Sequence, residues 1–349
     1  MDLLKQLKID VPIFLSPMAG VSTPKLAAEV SNSGGLGSLG LGASSIEEAK
    51  AMIETTKTLT KRSFQANFFC HIPETLDPYI EKAWIEYLTP EFKKFNETPP
   101  QTLQKSYQSF LENDDYLNLV LETKPQAISF HFGIPHPYQL KALKDAGIIT
   151  MASATNLSEA KCIENAGIDI IIAQGIEAGG HRGLFNPRYE SGISTYDLIK
   201  HLVPHCQIPI VAAGGIMDGY QAQFFLDLGA QAVQLGTAFI QCESSNASDT
   251  YRRKLLTKPL TQITATISGR PARGIINEWY KIIDTPNKPM IAPYPFAYDI
   301  AKQLNVAAMK EANHEYSAFW AGINVAQIRQ MSAPKLMTQL IREMGINSL

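Results

Sequence analysis

Asp169-Ile-Ile-Ile-Ala-Gln-Gly-Ile-Glu-Ala-Gly-Gly-His-Arg-Gly183 reads as a strand that empties into a glycine-rich loop. Its apolar run Ile170-Ile-Ile172 has the pattern of a strand buried on both faces. The loop carries one carboxylate, one imidazole and one guanidinium among Gly175, Gly179, Gly180 and Gly183. Glycines have no Cβ, so backbone N–H groups there can come close to a ligand. His181 is the side chain best suited to move a proton near neutral pH. A lone histidine in such a loop has little core to fill, so a functional role outweighs packing.

The same strand-and-loop unit recurs in both directions. Apolar runs at Pro12–Met18, Leu36–Gly40, Phe64–Phe69, Ala127–Gly133, Ile148–Ala154, Asp169–Gly175, Pro209–Gly215 and Ala232–Phe239 read as strands. Between them, Pro24–Ser33, Ile46–Thr56, Pro137–Ala146, Ser158–Ala166, Thr195–Val203 and Met217–Leu228 alternate at helical spacing. Ser22 or Thr23 before Pro24, Asn156 or Ser158, and Asp218 suit helix starts. Eight strands alternating with helices predict an α/β fold, a closed (β/α)8 TIM barrel. The count of eight disfavours an open doubly wound sheet. Segments 70–124 and 244–330 break the repeat. The first is rich in Glu, Lys, Gln and aromatics, and the second reads as mostly helical after Thr266. Both leave the C-terminal face, which predicts a helical lid over the barrel mouth. The expected division is 1–69, 125–243 and 331–349 for the barrel, with 70–124 and 244–330 for the lid.

Composition narrows the function classes. With 45% hydrophobic and 18% charged residues, the chain has enough apolar material for a large core. A net charge of -2 and no basic patch argue against nucleic acid as a partner. Arg252-Arg253-Lys254 reads as a solvated helix face. Cys70, Cys162, Cys206 and Cys242 form no CxxC pair, which fits reduced thiols in a cytoplasmic protein, and Cys162 and Cys206 read as small core or loop residues. The amphipathic start is not a signal peptide, and no apolar run nears the about 18 residues that span a bilayer. No metal site is expected, because carboxylates and histidines do not cluster at ligand spacing.

In a barrel, the reacting groups stand at the C-terminal strand ends. Here those ends carry Ser16-Pro-Met-Ala-Gly20, Asn67, His131, Gln174-Gly175, Gly214-Gly215 and Gln234-Leu-Gly-Thr237. Amides both donate and accept, which suits a heterocycle with carbonyls and ring N–H groups. The loops after strands seven and eight are the usual phosphate cradle of barrels. Together they suggest a flavin mononucleotide. Each feature also has a plainer reading: the glycine pair as a tight turn, Asn67 and Gln174 as core amides, His131 as a buried histidine bonded to backbone.

The chain resembles the nitronate monooxygenases, formerly 2-nitropropane dioxygenases. The likeness runs through Pro17-Met-Ala-Gly20, Ser22-Thr-Pro24, Ser33-Gly-Gly-Leu-Gly-Ser38, Ser129-Phe-His-Phe-Gly133, Gln174-Gly175 to His181-Arg-Gly183, Ala213-Gly-Gly-Ile216 and Gln234-Leu-Gly-Thr-Ala-Phe239. The resemblance implies noncovalent FMN held by Met18, Ala19, Gly20, Asn67, Gln174, Gly179, Gly215, Gln234, Leu235, Gly236 and Thr237. It implies His181 as the catalytic base. It implies oxidation of nitronates, characteristically propionate 3-nitronate, by O2 to a carbonyl compound and nitrite. The expected partners are that nitronate and O2, with a homodimer as the candidate assembly. Tyr294, Tyr298 and Lys302 fall at i, i+4 and i+8, so they are expected to share a helix face toward a small anion, with His131 beside them. Tyr107 joins this pocket through the resemblance alone. Ser268-Gly-Arg-Pro-Ala-Arg-Gly274 recurs among relatives, and its arginines suit lid closure or an anion. Three rivals stand: an FMN-dependent enoyl-acyl carrier protein reductase using NADH, which shares the Glu-Ala-Gly-Gly-His element, a flavin-free barrel lyase or isomerase, and a flavin-binding protein without catalysis, which would leave His181 and the Tyr–Lys face idle.

Overall fold

The computed structural model describes residues 2–346. Eight parallel strands form its centre: β1 (Ile13–Leu15), β2 (Gly37–Gly40), β3 (Phe64–Phe69), β4 (Ala127–His131), β5 (Ile149–Ala154), β6 (Ile170–Gln174), β7 (Ile210–Ala213) and β8 (Ala232–Leu235). Their order is β1-β8-β7-β6-β5-β4-β3-β2. The ring closes where Leu15 N–H donates to Leu36 and Leu36 N–H donates to Ile13, both at 2.9 Å. Every position of β5 and β6 is buried, as apolar runs with helices outside and a packed core inside require. This is a (β/α)8 TIM barrel.

The helices begin where short polar side chains satisfy the first free N–H groups. Thr23 accepts from Leu26 N–H at 3.0 Å, Asn156 from Glu159 N–H at 3.0 Å, and Asp218 from Gln221 N–H at 2.7 Å. Thr23 also donates to Ser244 O at 2.6 Å, tying the first barrel helix to the chain leaving β8.

The two excursions meet. Trp84, Leu88 and Phe92 of helix Pro78–Lys93 share one apolar cluster with Trp279, Ile300 and Leu304. Helix Asp115–Thr123 instead packs Tyr116, Leu119 and Val120 into the barrel core.

Several local readings change. The eighth strand ends at Leu235, and Thr237–Phe239 turns as a 3-10 helix. The region after Thr266 is not all helical. Ala272–Ile275 is a strand, paired with Thr261–Thr264 on one side and with Gly180–His181 on the other. Its pairing with Gly180–His181 is remote in sequence, so local periodicity cannot reveal that contact. Arg252 is not a solvated side chain. Its guanidinium donates to the carbonyls of Ile240, Cys242, Ser245 and Ala247, fastening the turn after β8. Cys162 is exposed on its helix, whereas Cys206 is buried.

Candidate active site

A cavity of about 520 Å³ opens at the C-terminal strand ends. Of the eleven residues expected around a cofactor, Met18, Ala19, Gly20, Asn67, Gln174, Gly179, Gly215, Gln234, Gly236 and Thr237 line it. Leu235 does not: strand alternation turns its side chain outward against the helix layer, where it is 1% exposed. Gly214, Tyr107, Tyr251 and Trp320 also line the cavity. Tyr251 and Trp320 carry no motif that marks them in the sequence.

The glycines do different jobs. Gly214 and Gly215 have φ of 120° and 74°, a region that side chains with a Cβ enter at a cost. Among the described residues, no protein acceptor takes the N–H of Gly215 or Gly236. Gly179 is a packing glycine, since a Cβ there would stand 2.5 Å from Gly322 N.

The amides are divided likewise. Gln174 Oε1 accepts from Arg182 at 2.9 Å and from Gly183 N–H at 2.7 Å, and its Nε2 donates to His181 O at 3.0 Å. Its carbonyl oxygen therefore serves the loop. Arg182 is wholly buried, also binds Gly175 O at 2.6 Å, and is neutralised by Glu190 at 2.7 Å. Asn67 donates through Nδ2 to Ser129 O at 3.1 Å, and its Oδ1 has no protein partner among the described residues. Gln234 meets only Gln65, at 3.5 Å through Oε1, so its Nε2 donors are free.

His181 lies on the cavity wall. Its Nε2 contacts Ser268 Oγ at 2.8 Å, and its Nδ1 has no protein partner among the described residues. His131 also lines the cavity, with both nitrogens engaged, Nδ1 with Ser153 Oγ at 2.9 Å and Nε2 with His181 O at 3.1 Å. A carbonyl only accepts, so His131 Nε2 is the donor and its ring holds the loop. Burial pushes His181 down to about 3, helped by His131 and Arg270, and it pushes His131 down to about 4. Both imidazoles are uncharged at neutral pH.

Tyr107, Tyr294 and Tyr298 cluster beside His181 on the cavity lining, with Tyr107 5.6 Å from Tyr298 and Tyr294 5.9 Å from His181. Burial raises all three phenols, which stay protonated. The single helix face expected for them is corrected. The helix runs Phe296–Lys310, so Tyr294 precedes it in a Pro-Tyr-Pro segment. Lys302 lies one turn beyond Tyr298, about 6 Å further along the axis. It is exposed, does not line the cavity, and sits 4.6 Å over the Tyr107 ring. Among the described residues, no three His, Cys, Asp or Glu side chains gather to hold a metal.

A closed parallel barrel whose mouth joins imidazoles, free amide groups and unpartnered backbone N–H groups defines a barrel enzyme with a site suited to a small heterocyclic ligand. The chain belongs to the nitronate monooxygenase family, whose model matches residues 2–343, and is thus a flavin-dependent oxidoreductase. It is 48% identical to a nitronate monooxygenase of Paraburkholderia phytofirmans over 98% of this chain and 94% of that one. A solved nitroalkane oxidase of Streptomyces ansochromogenes superposes with a TM-score of 0.89 at 32% identity, covering 99% and 98% of the two chains. FabK of Thermotoga maritima is more distant, with a TM-score of 0.75 at 26% identity and coverage of 98% and 95%.

Proposed function

We propose that this enzyme oxidises alkyl nitronates, propionate 3-nitronate foremost among them, using O2 and FMN to give a carbonyl compound and nitrite. The observation that carries this reading is the cavity at the strand ends, where free amide groups and unpartnered backbone N–H groups suited to a heterocycle meet His181. The cavity fits FMN on its own chemistry. Unpartnered N–H groups at Gly215 and Gly236 suit a phosphate, and Asn67 Oδ1 and Gln234 Nε2 offer an acceptor and donors to a ring. When bound, the flavin would supply the redox chemistry, accepting electrons from the nitronate and passing them to O2.

The protein's own contribution is to bind, shield and move a proton. The three tyrosines and Trp320 wall the substrate from water. His181 Nδ1 takes the α-proton of a neutral nitroalkane, a step that a preformed nitronate does not need. Lys302 places a positive charge at the rim, where a substrate carboxylate arrives. The four cysteines are free thiols, which suits a reducing cytoplasm.

The test is to release and identify the flavin from purified protein, and to follow O2 uptake and nitrite with propionate 3-nitronate. Colourless protein that makes no nitrite would sink the proposal. NADH oxidation with an enoyl thioester, in place of nitrite release, would support the reductase reading instead.

A further inference from the structure

We propose that the corner Ser268-Gly-Arg270 of the second excursion is the positioning device for His181, holding it as the uncharged Nε2–H tautomer with Nδ1 open to the cavity. The proposal deepens the reading of His181 as a base and rests on it for its role in turnover.

Ser268 is 1% exposed, and its hydroxyl has three neighbours. It donates to Arg270 O at 3.1 Å, receives Arg270 N–H at 3.3 Å, and lies 2.8 Å from His181 Nε2. A hydroxyl has one proton, and the carbonyl can only accept it. With that proton assigned to the Arg270 carbonyl, Nε2 brings the hydrogen to the imidazole contact. A neutral imidazole carries one N–H, so Nδ1 is the free lone pair.

The corner cannot drift. Gly269 has φ of 89°, and a Cβ there would stand 2.5 Å from Tyr294 N. Downstream, Arg182 N–H donates to Pro271 O at 2.8 Å, and Ala272 pairs in register with His181. From the barrel side, Gln174 and His131 both donate to His181 O. The backbone of His181 is thus held from both walls, leaving Ser268 to set the ring.

Arg270 adds charge. It is 3% exposed, its one side-chain hydrogen bond goes to Leu184 O at 2.7 Å, and among the described residues no carboxylate pairs with it. The guanidinium lies 4.5 Å over the ring of Phe132, which in turn stands 5.7 Å from His181 at 85°. Phe132 has φ of 78°, a conformation that costs a bulky residue energy and is kept where the surroundings impose it. The Phe132 ring thus contacts both the guanidinium and the imidazole. The titratable groups facing His181 are His131 from β4, Tyr294 and Tyr298 from the second excursion, and Arg270; Arg182 points away to Glu190. None of these supplies a negative charge at neutral pH, so the resting imidazole stays unprotonated at Nδ1, and a proton taken there is readily passed on.

The test is histidine ¹⁵N spectroscopy on the flavin-loaded protein as purified, from pH 8 to 5. Wild type is expected to show His181 protonated at Nε2 alone and unchanged over this range. Ser268→Ala should mix the tautomers. Arg270→Met should let His181 titrate inside the range, an upward shift of at least one pH unit, and Arg270→Lys should restore the wild-type trace. Arg270→Gln, which can keep the Leu184 contact, is the second charge-removing variant if Arg270→Met does not fold. An Nδ1–H tautomer in wild type, or variants with unaltered spectra, would overturn the proposal. Activity separates the two claims. Ser268→Ala should lose at least tenfold in kcat/KM on a neutral nitroalkane and less on its nitronate. Spectra that behave as expected with equal losses on both forms would support the clamp and defeat the base assignment.

Discussion

Nδ1 of His181 is the basic atom on the cavity wall, and its value depends on the protonation of the substrate. His181→Ala should slow turnover of a neutral nitroalkane by less than the about 10²- to 10⁴-fold of a base poised near neutral pH, because burial makes this imidazole weakly basic. The loss on a preformed nitronate should be smaller, because that proton is already gone. Steady-state rates on both forms decide it, and equal losses would assign His181 to charge stabilisation or positioning. Lys302 belongs to the same scale. It is exposed and shares its position with two aromatic rings, so its contact with a substrate carboxylate is screened. Lys302→Met should raise the apparent KM for a carboxylate-bearing nitronate about fivefold at most, the yield of an exposed ion pair of about 1 kcal/mol or less. An alkyl nitronate should not change, and an equal rise for both would show that Lys302 acts through Tyr107 and Tyr298 instead.

At the scale of elements, the start of the first barrel helix makes a sharp case. Thr23 caps Leu26 N–H and donates to Ser244 O, so one hydroxyl serves two elements. Thr23→Ala should cost about 1–2 kcal/mol in urea unfolding, and Thr23→Ser should recover most of it. A loss below about 0.5 kcal/mol would mean that water replaces both bonds. This cap was legible in the sequence because Thr-Pro ahead of an apolar periodicity is a local signal. The eight strands were legible for a related reason, since strands buried on both faces leave continuous apolar runs. The strand Ala272–Ile275 was not, because its pairing with Gly180–His181 is set by tertiary contact. The cavity residues were largely readable from the strand ends, yet their division of labour was not. Gln174 and His131 look like ligands in the sequence, but partners brought by folding occupy the Gln174 oxygen and both His131 nitrogens. Lys302 misled for a geometric reason, because helical spacing gives a shared face and not a shared depth.

Across the whole molecule, the barrel and the covering excursions enclose three imidazoles that the fold keeps neutral. His181 is held down to about 3, His131 to about 4 and His71 to about 3, against an ordinary value of 6.5, with burial the largest cause each time. His71 is the extreme case. It is 1% exposed, its two ring nitrogens have no partner among the described residues, and its ring stands 4.9 Å from that of Tyr294. The sign of the linkage follows directly. Between pH 6.5 and the folded values, the unfolded chain binds protons that the folded protein refuses, so stability rises with pH there. The contribution is complete above pH 6.5 and is lost as pH falls toward 4 and then 3. Each histidine contributes a slope of about 1.4 kcal/mol per pH unit within its window. Urea unfolding of the flavin-loaded protein should therefore show stability nearly flat from pH 8 to 7 and falling steeply below 6. His71→Phe should remove about one proton from that uptake and leave the slope due to His131 and His181 in place. The variant also fills the site with a ring that needs no hydrogen bond, so its stability relative to wild type should improve as the pH is lowered. Melts at pH 7, 6 and 5 on both proteins measure this. A stability difference that does not change with pH would show that His71 finds a partner in the folded protein and titrates as it does in the unfolded chain.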